Sequence, residues 1–408
     1  LQKLVVELLD ELKLTYTLLS PTGKAAKLLS GYTGRKAKTI HKAVGYGKDK
    51  NLSQLIEVPE DFIIVDEMSM TDCFIMSMLL NKMTNPKARI LFCGDPAQLA
   101  AVGAANLLHD FVESGVIPVT KLNIVFRQQE GGLLDVITKI RQGEKIVPND
   151  FKGKKIFGND FIIHCVSQAE IPKAYKHYYN FFLKLSNPED IAVISPTRKG
   201  QVGTVEINKY IQSQVNPDDG IKAEHQFGDN VIFRVGDYVI NTQNMYDILD
   251  YNDQPIDIVN GDTGVIIDIV KDKEAKKRDL KMINEDENKI VSEKDKNGII
   301  VKFDVGTVRI DFGEASQLLH AWSMTGHRMQ GSAAEYTISI ADKAHTFQLS
   351  RNHIYTMLSR TKNKGVLLTQ AEVLNRALRI VDNKRRNTFM QDLLKLESEM
   401  SDIEISKT

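Results

Sequence analysis

The sequence predicts an α/β protein with two parallel-sheet domains and a small β-barrel inserted in the second, and three observations carry that prediction. First, short apolar runs end in turn or acidic residues and are followed by helical stretches: Thr15–Leu19 runs into Ser20-Pro21-Thr22-Gly23, Phe62–Val65 into Asp66-Glu67, and Ala88–Cys93 into Gly94-Asp95-Pro96. Strand, turn, helix is the rhythm of an α/β layer, and ligands of open parallel sheets bind at the carboxyl ends of the strands. Second, the pattern returns at Ile191–Ile194 with Ser195-Pro196-Thr197, at Tyr336–Ile340 and at Val366–Leu368. Third, Asn230–Phe233, Tyr238–Thr242, Gly264–Val270 and Gly298–Phe303 are short strands parted by turn signals such as Val235-Gly236-Asp237 and Asn260-Gly261-Asp262, with no helical period.

The remaining segments follow from the same reading. Apolar residues at 1, 4, 5, 8, 9 and 12 make the opening segment an amphipathic helix already in progress. The chain starts at Leu1 rather than Met, and Glu7, Asp10 and Glu11 exclude a signal-peptide core, so a piece of something longer is expected. Lys271–Asn297 holds nine basic and eight acidic residues in 27 and reads as a solvated excursion between two barrel strands. After Thr369 the sequence is helical and charged to its end.

Composition narrows the function. A chain of 408 residues has length for two to four domains, and 53 basic against 53 acidic residues exclude a polybasic binder that works by bulk phosphate neutralisation, though not nucleic acid as a partner. With 42% hydrophobic and 26% charged residues the chain is an ordinary globular one, and no apolar stretch approaches the ~20 residues that span a bilayer. Cys73, Cys93 and Cys165 are odd in number and widely spaced, which points to the cytoplasm and to neither disulfides nor a zinc site.

The chemistry concentrates at the strand ends. An apolar strand delivering Asp66 and Glu67 together is the Walker B arrangement, in which the first carboxylate holds Mg²⁺ and the second polarises an attacking water. Gln98, one strand later in Gly94-Asp95-Pro96-Ala97-Gln98-Leu99, offers an uncharged amide that senses a γ-phosphate or its water. Arg127 and Arg360 complete a phosphate site in principle, since a guanidinium stabilises transferring phosphoryl charge when it reaches across a closed cleft. For any one of these residues alone, a solvated strand end or a surface ion pair explains it as well. Their company and fixed order favour the phosphate site.

Taken in order, Ser20–Ala26, Lys38-Thr39-Ile40-His41, Val65–Met70, Gly94–Leu99 and Phe126-Arg127-Gln128 resemble motifs Ia, Ib, II, III and IV of RecD-like superfamily 1B helicases. The similarity continues through Ile194–Thr197, Phe233–Asp237, Asn260–Gly264, Thr325–Ser332 for motif V and Tyr355–Lys362 for motif VI, and so runs from Leu1 to about residue 380. The resemblance implies two RecA-like motor domains, at 1–127 and at 128–232 with 311–380. It also implies a pin-like insertion at about 45–60, a Src-homology-3-like barrel at 233–310 and a helical tail at 381–408. It implies ATP and Mg²⁺ as cofactors, with Asp66, Asp95 and Gly331 binding nucleotide, Asp66 holding the metal, Glu67 activating water, Gln98 coupling, and Arg127 and Arg360 as fingers. Pro21, Thr22, Thr39, His41, Thr325 and His327 would line the path of single-stranded DNA, and the substrate would be duplex DNA with a 5′ overhang, unwound 5′ to 3′. For His41 and His327, local capping or packing is the simpler alternative.

The departures are specific. The family's Gly-rich Walker A, ending in Gly-Lys-Thr or Gly-Lys-Ser, is absent, and Thr22-Gly23-Lys24-Ala25 lacks both the upstream glycine and the hydroxyl that ligates Mg²⁺. Leu1–Leu14 matches the helix that follows that loop in the family. Arg328 stands where the family usually has Lys, and Ala333 where an acid normally follows Gly-Ser. An ATPase-dead nucleic-acid-binding subunit and an RNA helicase of the same superfamily are the rival readings.

Overall fold

The amphipathic opening forms helix α1 (Gln2–Glu11), whose Val6 and Leu9 are buried against Leu18, Leu29 and Ile64. Behind it run strand β1 (Tyr16–Ser20), helix α2 (Gly23–Thr33), strand β2 (Ala37–Thr39), the single-turn helix α3 (Ile40–Ala43), strand β3 (Phe62–Val65), helix α4 (Cys73–Lys82), strand β4 (Arg89–Phe92) and helix α5 (Leu107–Ser114). The strands make a parallel sheet in the order β2-β1-β3-β4. Successive side chains point to opposite faces, so Leu18 and Ile64 meet α1 while Leu19, Ile63 and Val65 meet Met68, Met76, Leu79 and Leu107 on the other side. Each such leucine contributes roughly 1.5–3 kcal/mol on burial, and a sheet covered on both faces reads as unbroken apolar runs.

This computed structural model describes residues 1–46, 54–122, 131–228, 231–271, 297–382 and 389–405. Arg127, the middle of the expected pin and nearly all of the charged excursion lie outside the described residues. The chain divides into two compact units: residues 1–171, 329–335 and 341–408 form the first, and residues 172–328 and 336–340 the second. Helix α6 (Gly132–Gln142) and strands β5 (Gly153–Phe157) and β6 (Phe161–Cys165) complete the opening part of the first unit. That hairpin is absent from the sequence reading. Lys154 and Lys155 break the apolar pattern of β5, and β5 pairs antiparallel with β6, so the sheet set is not purely parallel.

In the second unit, helix α7 (Ile171–Phe182) leads to strand β7 (Ile191–Ser195) and helix α8 (Thr204–Val215). A hairpin of β8 (Glu224–Phe227) and β9 (Val231–Arg234) follows, then β10 (Tyr238–Asn241), the β11 (Met245–Leu249) and β12 (Pro255–Ile258) pair, β13 (Thr263–Val270), β14 (Gly298–Phe303), β15 (Gly306–Asp311) and β16 (Leu318–His320). The antiparallel sheet β15-β14-β13-β10-β16 closes over Ile266, Ile299, Val301 and Ile310, with Phe233 of β9 in the same core. Strand β17 (Ser323–Thr325) pairs parallel with β7, as does strand β18 (Ala334–Ala341).

The chain then returns to the first unit as helix α9 (Arg351–Leu358), strand β19 (Thr361–Thr369), helix α10 (Ala371–Arg379) and helix α11 (Met390–Ile405). Strand β19 runs parallel to β6. Helix α11 lies against α5, where Gln391 donates to Asp110 at 3.2 Å. Among the described residues no helix is long and apolar enough to cross a membrane. None of the three cysteines forms a disulfide, and Cys165 is buried.

Candidate nucleotide and nucleic-acid site

Two acids leave β3 where the sequence puts them, and the backbone turns sharply there. Glu67 has φ +53°, ψ +41°, a left-handed conformation rare for a residue with a side chain. The turn is fixed by Met68 N–H donating to Cys93 O at 2.8 Å. Gly94 makes that approach possible, because a Cβ there would lie 2.8 Å from Leu108 Cδ2 and 3.3 Å from the backbone nitrogens of Met68 and Ser69. Asp66 accepts a hydrogen bond from the Tyr32 hydroxyl of α2 at 2.7 Å. Burial and then the Asp66 charge push the Tyr32 phenol well above its usual range, so it is a donor at any working pH. Gln2, at the start of α1, and the chain's amino group face Cys93 at the end of β4, and the Cys93 thiol is raised by burial and by the Asp66 charge.

The loop after β4 is clamped by the returning chain. Asp95 accepts from the Tyr355 hydroxyl at 2.6 Å and from Ala97 N–H at 3.0 Å, and pairs with Arg141 of α6 at 3.5 Å. Leu99 N–H donates to Thr356 Oγ1 at 2.9 Å, Gln330 Nε2 donates to Leu99 O at 2.9 Å, and Asn352 Nδ2 reaches the carbonyls of Ala97 and Gln98 at 3.1 and 3.2 Å. Burial, then the neighbouring Asp95, raises the Tyr355 phenol. Gln98 itself is 7% exposed, and its Oε1 is buried without a hydrogen-bond partner. An orphaned amide oxygen is costly, roughly 1–3 kcal/mol, unless something absent from the protein supplies a donor.

Arg360 ends this clamp. It is 4% exposed, and its guanidinium donates to Thr356 O at 3.1 Å, Ser359 Oγ at 2.9 Å and Ser332 O at 3.4 Å. Burial excludes the surface ion pair that any single arginine suggests. Sequence reasoning missed Tyr32, Gln330, Asn352, Tyr355 and Thr356 as site residues. A signal for two of them was available, since Tyr355 and Thr356 open the stretch that resembles motif VI; Asn352, four residues before Thr356 on the same face of the buried α9, had none.

At the other side of the sheet the register Ser20↔Thr39 sets the carboxyl ends of β1 and β2 next to each other. Thr22 caps α2 by accepting from Ala25 N–H at 3.3 Å, and Thr39 caps α3 by accepting from Lys42 N–H at 3.1 Å. Two threonine-capped helix starts therefore share one edge, beside Pro21 and His41. Burial lowers the His41 pKa against the opposing pull of Asp72, so the ring is mainly neutral at pH 7. His41, Tyr46 and the half-exposed Phe74 form a line of rings with centroids 5.7 and 6.0 Å apart. Gly331 approaches the start of α2, where a Cβ would lie 3.7 Å from Ala25 Cβ. Thr325, at the end of β17, and the exposed His327 belong to the second unit.

Gly331 has φ +70°, and the contact with Ala25 is of ordinary length, so Gly331→Ala pays in backbone strain and not in a clash. The expected loss is about 1–2 kcal/mol of unfolding free energy, read as a lower urea midpoint at unchanged m-value. An unchanged midpoint would show that the loop adopts another conformation.

Comparison with known proteins agrees with this geometry. Residues 1–158 match a family described as an AAA domain, residues 207–282 the SH3 domain of ATP-dependent RecD-like DNA helicases, and residues 320–368 the UvrD-like helicase C-terminal domain. The chain is 30% identical over 366 residues to an ATP-dependent RecD2 DNA helicase of Deinococcus radiodurans, an alignment covering 89% of this chain and 44% of that protein. It is 25% identical over 386 residues to a RecBCD enzyme subunit RecD of Mycolicibacterium smegmatis, covering 87% of this chain and 62% of the relative. The chain thus spans about half the length of these relatives. Its fold is similar to that of a Pif1 helicase from Candida albicans, at TM-score 0.51 and 18% identity over 92% of this chain and 89% of the other. With the motifs in family order and the β-barrel in place, the chain belongs to the RecD-like superfamily 1B helicases.

Proposed function

We propose that this chain carries the motor of an ATP-dependent DNA helicase that moves 5′ to 3′ on single-stranded DNA and opens duplexes with a 5′ overhang. One observation carries the reading: the Asp95–Leu99 loop, which follows the strand next to the acids, is hydrogen-bonded directly to the segments bearing Gln330, Tyr355 and Thr356. A change at the acids is thereby passed to the segment that ends in Arg360. The two RecA-like domains at 1–127 and at 128–232 with 311–380, the barrel at 233–310 and the tail at 381–408 remain our division of the motor.

The donors suit Mg²⁺·ATP. Adjacent carboxylates are hard oxygen ligands, Mg²⁺ is held by one or two of them plus substrate phosphates, and the orphaned Gln98 Oε1 awaits a donor such as the attacking water. Asp66 would hold the metal, with Tyr32 fixing the rotamer of its carboxylate. The metal supplies charge neutralisation on the phosphates. Glu67 takes up a proton from water, Gln98 orients that water, and Arg127 and Arg360 stabilise the charge that develops. Asp95, engaged by Tyr355, Arg141 and Ala97, acts on the nucleotide through the loop it clamps, and Gly331 through the turn beside Ala25. Pro21, Thr22, Thr39 and His41 hold strand phosphates and sugars with short polar groups and helix starts, as do Thr325 and His327.

The test compares the 408-residue chain with one carrying a Gly-rich phosphate loop ahead of Leu1. Without the loop's amides and Lys the β- and γ-phosphates lose most of their ligands, so no measurable DNA-stimulated ATPase is expected from the chain as it stands. The loop-bearing chain should hydrolyse ATP and unwind 5′-tailed but not 3′-tailed DNA. Robust turnover by the 408-residue chain alone would refute the assigned phosphate chemistry. Preference for a 5′-tailed RNA duplex would make it an RNA helicase, and loop-bearing protein that binds DNA without turnover would favour the ATPase-dead subunit.

A further inference from the structure

Helix α11 has two apolar faces, and the first unit covers one of them. Met390 packs against the core cluster that contains Ile63, Val65 and Leu107, Gln391 donates to Asp110 of α5, and Leu394 and Ser398 continue that half-buried face at helical spacing. The opposite side carries Phe389, Leu393, Leu396 and Met400, each more than half exposed. Phe389 belongs to the helix start, since its carbonyl accepts from Leu393 N–H at 2.9 Å. A surface helix needs one apolar stripe to hold it to its unit. A second stripe turned away from that unit marks a place where something else binds.

The spacing of this outer stripe describes what fits it. Residues 389, 393, 396 and 400 step by four, three and four, the d-a-d-a seam of a heptad, along which a second helix packs knobs into holes. The seam is about 17 Å long, some three turns of helix. Its flanks are acidic. With Leu393 at a, Asp392 and Glu399 fall at g and Glu397 at e, and all three are exposed. Lys395, the one lysine of the helix, falls at c, outside the seam.

These charges select the occupant. Nucleic acid and anionic membrane surfaces are repelled. A second copy of the chain meets like charge in either direction: a parallel pair sets Asp392 against Glu397 of the other copy, and an antiparallel pair sets the Asp392 and Glu399 edges against each other. A helix with Lys or Arg beside its apolar stripe gains at every one of these positions. We propose that the outer face of α11 docks an amphipathic helix of a partner protein whose apolar stripe is flanked by basic residues. This face draws on none of the residues assigned to ATP or DNA above.

The experiment uses the 408-residue chain and a labelled three-heptad peptide with Leu at a and d, Lys at e and g and polar residues elsewhere, read by fluorescence anisotropy. A control peptide carries Glu at e and g. The chain is expected to bind the Lys peptide at least about tenfold tighter than the Glu peptide, with a preference that shrinks as NaCl rises. Leu393→Gln with Leu396→Gln should weaken Lys-peptide binding by about tenfold or more at an unchanged urea midpoint, because both leucines are exposed. Asp392→Lys with Glu399→Lys should reverse the choice of peptide, which a change of fold would not do. Equal affinity for the two peptides, binding of neither, or Lys-peptide binding that survives the double leucine substitution overturns the proposal. So does sedimentation of the wild-type chain as a dimer that Leu393→Gln with Leu396→Gln converts to monomer, which assigns the face to a second copy. Leucine-dependent binding to phosphatidylcholine vesicles in place of the peptide also overturns it and assigns the face to a membrane.

Discussion

Glu67→Gln, made in the loop-bearing chain, is expected to lower DNA-stimulated kcat by about 10²- to 10⁴-fold while Mg²⁺·ATP and single-stranded DNA still bind. The amide keeps the shape of the carboxylate but cannot take up a proton. Glu67 has φ +53°, and Gln pays the same steric cost there, so the stability of the variant should stay within about 0.5 kcal/mol of wild type. Glu67→Gly, by contrast, relieves the left-handed strain and should gain stability of about 1 kcal/mol as activity is lost. The pair separates strain held for chemistry from strain of no consequence. Single-turnover hydrolysis beside urea unfolding measures both, and near-normal turnover in Glu67→Gln would remove this residue from the role of base.

Much of the frame was legible in the sequence, for a physical reason. Strands β3 and β14 fall on Phe62–Val65 and Gly298–Phe303, as their apolar runs predict, because a buried strand has no other way to read. The β5–β6 hairpin was not legible. Lys154 and Lys155 are an edge strand's protection against pairing, and they also erase the alternation that announces a strand. Of the candidate site residues, Asp66 and Glu67 were legible because they directly follow a strand, and Gln98 because it lies in the loop after the next one. Tyr32 and Asn352 sit inside helices outside any motif named, Thr356 lies in the motif VI stretch without being singled out, and the long-range contacts of Tyr32 with Asp66 and of α9 with the Asp95–Leu99 loop are what bring them to the candidate site. Glu67's left-handed turn was invisible for a related reason: Met68 N–H bonded to Cys93 O imposes it, and no local preference of Glu does.

Arg360→Ala is the second variant with a large expected effect, and the geometry gives it two separable consequences. As a finger, Arg360 stabilises charge on the transferring phosphoryl group, and its loss should cost about 10³-fold or more in kcat. As a tie, it links Ser332 O to Ser359 and Thr356 at the end of α9, and removing it strands a carbonyl in a region where Arg360 is 4% exposed. That costs roughly 1–3 kcal/mol of stability. A residue that is only a tie predicts a lower unfolding midpoint with normal kcat per folded molecule. A finger predicts the loss of kcat even well below the unfolding midpoint, with single-strand affinity in the absence of nucleotide unchanged. Arg360→Lys discriminates further, because an ammonium keeps the charge but cannot span Ser332 O and Ser359 Oγ while facing phosphate oxygens, so rescue should be poor in both turnover and stability. Steady-state ATPase of the loop-bearing chain at saturating single-stranded DNA, measured beside its urea midpoint, decides between them: wild-type kcat in Arg360→Ala would leave the arginine a structural clasp between Ser332 and α9 and would require another group to meet the phosphoryl charge.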